Sequence, residues 1–464
     1  MAHGARRRRI GRSKTARESA LTPAEATRPI TGHAGGTGRP TVPITIRGSR
    51  PERRGLPAGA SRSSGSPLPA QRTTGSGRTG RAAPPPDVNL QLPTLTGLRG
   101  VAALMVFTRH IYVEVEDVIP AIAFLGDIGY SGVTFFFILS GYVLAWSTGP
   151  GTDSAFWWRR FARVYPLYFV SVWIWLALAW YFGMFGEFGS KLFSILPSLL
   201  LLQAWVPDQS IYFGWGGAVL WSLSCEAFFY LAFPLIYRRL AGRDTRGRLR
   251  MAAMVVLPTS LISVTASFAG SRFDLAAYAN PAVRIGEFVL GVALGLIARE
   301  GVRGTRRMRT ALSVGSTVWF VVAFLLGSDY GHRSGLIDSL LIPAFAALIF
   351  LVGTREADGG RIRVLGSRPV VYFGEASYAF YLVHPVALTI GYELGWFDVD
   401  TAVEAGLGLF ACFAMATALA AALHHSVERP ARKLLMRRRL SRSRHRFARR
   451  MLPLIPWRSP QPQH

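Results

Sequence analysis

Eleven apolar stretches, at roughly 96–113, 123–146, 165–185, 191–205, 218–237, 251–269, 283–298, 310–327, 336–353, 369–391 and 402–424, occupy most of the chain between its two ends. Most approach the ~20 residues that a helix needs to cross a hydrocarbon core. The expected fold class is therefore all-α: a polytopic membrane helix bundle of about ten transmembrane helices plus one short re-entrant or interfacial segment. That segment is 191–205, which is short, broken by Pro197 and followed by the polar run Pro207-Asp208-Gln209-Ser210. Composition agrees, with half of the 464 residues hydrophobic and only 17% charged, where soluble domains carry about a quarter.

The net charge of +27 is unevenly placed. Residues 1–86 hold 17 basic and 3 acidic residues, residues 429–464 hold 12 basic and none acidic, and the middle is nearly neutral with 24 and 23. Such an excess in a soluble protein would suggest nucleic acid, but here it sits on two tails flanking apolar spans, so no nucleic-acid partner is expected. The positive-inside rule and anionic lipid at the basic tails account for it. Residues 1–86, rich in Arg, Gly, Ser, Thr and Pro, read as a disordered basic cytoplasmic tail. Residues 87–434 form the expected transmembrane domain, and residues 435–464 a second basic cytoplasmic tail.

Orientation follows from which count puts the arginines on one side. Ten spans place Arg159, Arg160 and Arg163, the six arginines from Arg238 to Arg250, the five from Arg299 to Arg309 and the four from Arg355 to Arg368 together with both tails. An eleventh span through 191–205 would put Arg238–Arg250 outside, against the rule. The expected localisation is a multi-pass cell-membrane protein with both termini cytoplasmic. The two cysteines, Cys225 and Cys412, lie far apart in apolar segments and offer neither a disulfide framework nor metal-ligand spacing.

Polar groups inside apolar spans are costly and are functional candidates by default. Arg99 and His110 lie eleven residues apart in the first stretch, close to three helical turns, so they share a face and stand about 16 Å apart along the axis. An imidazole can take a proton from a hydroxyl near neutral pH, and a guanidinium can hold a phosphate bidentately. The plainer alternative is a helix–helix hydrogen bond for His110, with Arg99 snorkelling to headgroups; the neighbouring Arg109 could snorkel to the outer ones. Arg160 and Arg163, at i and i+3 before the third stretch, can clamp a polyphosphate or simply anchor the helix. Glu226 sits within an otherwise apolar span and must be paired, protonated or facing a cavity. In the tenth stretch Ser377, Tyr378, Tyr381 and His384 recur at helical spacing. On this topology His110, Glu226 and His384 fall in the outer half of the membrane, with Arg99, Arg160 and Arg163 at the inner face.

Seven stretches in order, LTGLRGVAALMVFTRH, GVTFFFILSGYVLAW, FWWRRFARVYPLY, WSLSCEAFFYLAFPL, RIGEFVLGVALG, FGEASYAFYLVHP and HHSVERPARKLL, resemble the acyltransferase-3 family of membrane O-acyltransferases. The resemblance implies a ten-span bundle, His110 as the essential residue, and acyl-CoA as co-substrate with no tightly bound cofactor. It also implies that Arg99, Arg160 and Arg163 serve the donor, with Glu226 and His384 assisting catalysis. The wording of the second and third stretches is similar to members that acylate the sugars of macrolide antibiotics. The expected function is transfer of a short acyl group from acyl-CoA to a hydroxyl of a carbohydrate or glycosylated small-molecule acceptor, with His110 as general base or transient acyl carrier. Two other classes compete. A secondary transporter also uses intramembrane His and Glu, but such folds are commonly built from duplicated halves and no internal repeat is visible. A scaffold acting through its basic tails would leave those residues without a role.

Overall fold

The apolar stretches become helices, and helices only, among the residues that a computed structural model describes. These are residues 92–437 apart from 116–117, 120–125, 127, 149–153, 184–194, 207–218 and 330–333. Residues 1–86, and 438–464 of the second tail, lie outside the described residues. The long helices are α1 (Pro93–Val115), α2 (Gly132–Ser147), α3 (Ser154–Tyr181), α5 (Trp221–Ala241), α6 (Thr245–Ala269), α8 (Pro281–Arg299), α9 (Arg306–Asp329), α10 (Ser334–Ala357), α11 (Arg368–Glu393) and α12 (Ala402–Leu423). Two short ones, α4 (Ile195–Leu199) and α7 (Ser271–Ala279), lie between them.

Among the described residues, six helices are long and apolar enough to cross a membrane: α3, α6, α8, α9, α10 and α12. That is fewer than the ten spans expected, because α2 is short and α1, α5 and α11 carry the polar residues of the candidate site. Of the stretch at 191–205, the described residues from 195 onward fold as the five-residue α4 and a 3₁₀ turn at Gln203–Trp205, each too short to cross. A second departure is at α3, which begins eleven residues before the apolar stretch that predicts it. Arg159, Arg160 and Arg163 are thus within the helix, and Pro166 sits inside it, where proline removes only one backbone bond.

Helix ends meet in a consistent way. The carboxylate of Glu356, at the end of α10, accepts the Thr94 and Leu95 amides at 2.5 and 3.0 Å and so caps the start of α1. Arg248, on the first turns of α6, holds Glu300 beyond α8 at 2.5 Å, and Arg303 holds Asp358 beyond α10 at 2.7 Å. Trp158, near the start of α3, donates to the Leu435 carbonyl at 3.0 Å, and Arg299 to the Thr148 carbonyl after α2. The arginine-bearing ends of these helices therefore gather at one end of the bundle.

Two helix pairs fix the interior. α2 and α8 pack backbone to backbone: a Cβ on Gly141 would lie 2.2 Å from the Phe288 carbonyl oxygen, and one on Gly291 2.0 Å from that of Ile138. α1 and α11 are equally close, since a Cβ on Gly374 would lie 1.9 Å from the Thr96 oxygen. They run in the same direction, because His110 further along α1 meets His384 further along α11. Between α2, α8 and α10 a buried ion cluster joins Arg284 to Asp338 at 2.6 Å, to Glu287 at 3.2 Å and to the Thr134 hydroxyl at 2.7 Å.

Candidate active site

A cavity of about 410 Å³ lies between α1, α2, α3, α5 and α11. α1 contributes Arg99 to its wall, α3 contributes Arg160 and Arg163 one turn apart, and α5 contributes Ser222, Glu226 and Tyr230. Glu375, Ser377, Tyr378 and Tyr381 of α11, with Thr96 of α1 and Ser140 of α2, add to the polar lining. Three guanidiniums outnumber the two carboxylates of the lining, Glu226 and Glu375, and Glu375 is itself paired with Arg429 at 2.9 Å, so the chamber is electropositive and favours a dianion.

The arginines are shaped by their neighbours. The Arg160 guanidinium lies 5.9 Å from the Phe156 ring centre and 6.0 Å from that of Tyr230, and its buried Nε has no hydrogen-bond partner among the described residues. Glu226 accepts a hydrogen bond from Tyr230 one turn on. Tyr378 donates to the Val164 carbonyl at 2.8 Å, tying α11 to α3 beside Arg163. Further along the wall the Ser222 and Tyr381 hydroxyls lie 2.7 Å apart, with Tyr381 also 3.1 Å from the Val219 carbonyl.

The two histidines stand behind Tyr381 rather than on the cavity wall. The rings of Tyr381 and His384 are 6.0 Å apart, and His384 Nε2 is 3.3 Å from His110 Nδ1. His384 is fully buried among Phe107, Phe380 and Tyr381, whereas His110 is half-buried.

Most of the expected set is thus brought together, with one rearrangement. Arg99, Arg160 and Arg163 share one chamber, and His110 and His384 touch. Glu226, expected in the outer half of the membrane with the histidines, instead lines the arginine chamber, where the Tyr230 hydroxyl donates to it and the guanidiniums share the cavity, an environment that an apolar histidine pocket does not offer a carboxylate. Arg109 also departs from its expected snorkelling: it donates to the Tyr130 hydroxyl at 2.5 Å and stacks over that ring at 4.0 Å. Cys225 is buried packing, its thiol 3.4 Å from the Ala279 carbonyl. Two features went unassigned in the sequence. One is Tyr230, whose i, i+4 spacing from Glu226 is a visible signal; the other is the ion cluster, of which Arg284 and Glu287 stand at i, i+3 while Asp338 is distant in sequence.

Comparison with known proteins identifies the family. Residues 92–425 match the acyltransferase domain that defines the acyltransferase-3 family. The chain is 35% identical over 387 residues to Acyltransferase MdmB of Streptomyces mycarofaciens, covering 76% of this chain and 95% of that protein. It is 24% identical to the putative peptidoglycan O-acetyltransferase YrhL of Bacillus subtilis and 23% identical to the O-acetyltransferase OatA of Staphylococcus aureus. Those two alignments cover 63% of this chain and about half of each relative, 48% and 50%. No solved structure matches. By the match over nearly the whole helical region and the identity to a full-length relative, the chain belongs to the acyltransferase-3 family and is an enzyme that transfers acyl groups.

Proposed function

We propose that this enzyme moves a short acyl group from cytoplasmic acyl-CoA to a hydroxyl of a carbohydrate or glycosylated small-molecule acceptor. The observation that carries the reading is the three-arginine chamber, separated from the histidine pair by one tyrosine. Phosphates of the donor would be held by Arg99, Arg160 and Arg163, with the thioester reaching inward. His110 takes the proton of the acceptor hydroxyl at Nε2, the oxygen attacks the thioester carbonyl carbon, and the carbon–sulfur bond breaks. The leaving thiolate regains the proton from the imidazolium, so no net proton is consumed. Ten spans with both termini cytoplasmic fit a donor chamber at the arginine-bearing end.

The test uses purified protein in lipid nanodiscs with radiolabelled acetyl-CoA and three acceptors: a glycosylated macrolide, its aglycone and a peptidoglycan fragment. Label on a sugar hydroxyl supports the reading. Label on the aglycone alone overturns the acceptor class, and uptake of an organic solute without acyl transfer overturns the reaction.

A further inference from the structure

The histidine pair is not two interchangeable bases. His110 Nδ1 lies 2.8 Å from the Val106 carbonyl oxygen, one turn earlier on α1. His384 Nδ1 lies 3.2 Å from the Phe380 carbonyl oxygen, one turn earlier on α11, and also faces the Tyr381 carbonyl. Pro385 follows His384 and has no N–H, so the Tyr381 carbonyl lacks its usual helical donor and is free to accept from the imidazole. A carbonyl oxygen only accepts, so in each ring the hydrogen is on Nδ1. His384 Nε2 then carries a lone pair, and it lies 3.3 Å from His110 Nδ1, which carries the hydrogen. The opposite tautomers would set lone pair against lone pair at both carbonyls.

From this geometry we infer that His384 is a positioning residue: its buried Nε2 accepts the Nδ1–H of His110, which fixes the His110 ring and leaves His110 Nε2 as the one base of the pair. His384 has no route to a substrate proton, because it is fully buried and its accepting nitrogen is occupied by His110. When His110 gains a proton at Nε2 its Nδ1–H becomes a charge-assisted donor, shared between Val106 and His384, and both bonds strengthen as the charge appears. That is the interaction that lowers the barrier rather than binding the ground state. An uncharged acceptor suits the place, since a carboxylate among Phe107, Phe380 and Tyr381 would carry a large burial penalty.

The inference rests on His110 being the base, and two measurements separate its failure from failure of that reading. In full-length protein labelled with ¹⁵N-histidine, signals lost in His110→Asn and His384→Gln assign the two rings. Nδ1-protonated neutral tautomers in both are expected, and an Nε2-protonated His384 overturns the inference whatever the activity. The second measurement is steady-state acyl transfer from acetyl-CoA to the acceptor. Gln places its side-chain oxygen near the position of Nε2 and keeps an acceptor, whereas Leu does not. His384→Leu should lower kcat roughly ten- to hundredfold, the scale of a hydrogen bond to a charged group, with KM for acetyl-CoA unchanged. His384→Gln should restore most of that loss. Equal loss in both, matching His110→Asn, would make His384 the base and overturn the inference. A near-wild-type His110→Asn beside the expected tautomers would instead overturn the reading of His110.

Discussion

At the scale of single residues, the arginines and the histidine have separable signatures. Arg160→Gln and Arg163→Gln should each raise KM for acetyl-CoA by about ten- to hundredfold, since a charge-assisted phosphate contact is worth ~1.5–3 kcal/mol. An unchanged donor constant would reduce both to helix anchors. His110→Asn keeps hydrogen-bonding capacity but loses the base, so kcat should fall by ~10² to 10⁴-fold at normal expression and thermal stability. More than a tenth of wild-type turnover would place the base elsewhere. A residue outside the chamber gives the contrasting case: Arg284→Leu strands two buried carboxylates and should cost about 3–5 kcal/mol of stability, read as thermal unfolding in detergent. Replacing Arg284, Glu287 and Asp338 together by apolar residues should recover most of that loss. The site residues were legible because each is a polar group where lipid tolerates few, and Arg160 with Arg163, or Tyr378 with Tyr381, shows its face by helical spacing alone. The position of Glu226 was not legible. Depth along α5 can be counted from the sequence, but which neighbours surround a given depth depends on how α3 and α5 pack.

Among the elements, the α1–α11 contact carries the site, and glycine makes it possible. A Cβ on Gly374 would meet the Thr96 carbonyl oxygen at 1.9 Å, and a backbone atom within a helix has little room to yield. Gly374→Ala should therefore push α11 away from α1 and cost roughly 1–3 kcal/mol, as overpacking does. Because the histidines are paired across that same contact, activity should fall further than the stability loss explains. Gly315→Ala on α9 is the control: its Cβ would meet nothing within 4 Å, and alanine in an exposed helix gains up to about 1 kcal/mol over glycine. Equal activity of the two variants would show that the helix contact does not set the histidine geometry. Helix existence was readable in every long stretch, since apolar length suffices for it. Helix starts were read less well, α3 above all, because the arginine turn before the apolar run lines a cavity instead of ending at the lipid surface.

Across the whole molecule, the inter-helix ion pairs and caps make an argument about topology that does not use hydropathy. Glu356 caps the start of α1, Arg248 reaches Glu300 past α8, Arg303 reaches Asp358 past α10, and Trp158 at the start of α3 reaches Leu435 past α12. With Arg299 and Tyr237 both donating to the Thr148 carbonyl, six residues before α3 begins, these contacts put the α5–α6 turn and the ends of α8 and α10 at the same end of the bundle as the start of α3. α3 leaves that end and α5 returns to it, so the segment between them has no need to cross, in keeping with the five-residue α4. The proposed ten crossings would put this gathering on one side of the membrane, and the excess of arginine at that end predicts that it faces the cytoplasm. Reporter fusions after Arg250, Arg309 and Arg368 should then all give cytoplasmic signals in intact cells. The Arg250 fusion is the decisive one. A periplasmic signal there, with cytoplasmic signals at the other two, would mean that the chain between α3 and α5 crosses the membrane and that the donor chamber opens on the side opposite to the acyl-CoA pool.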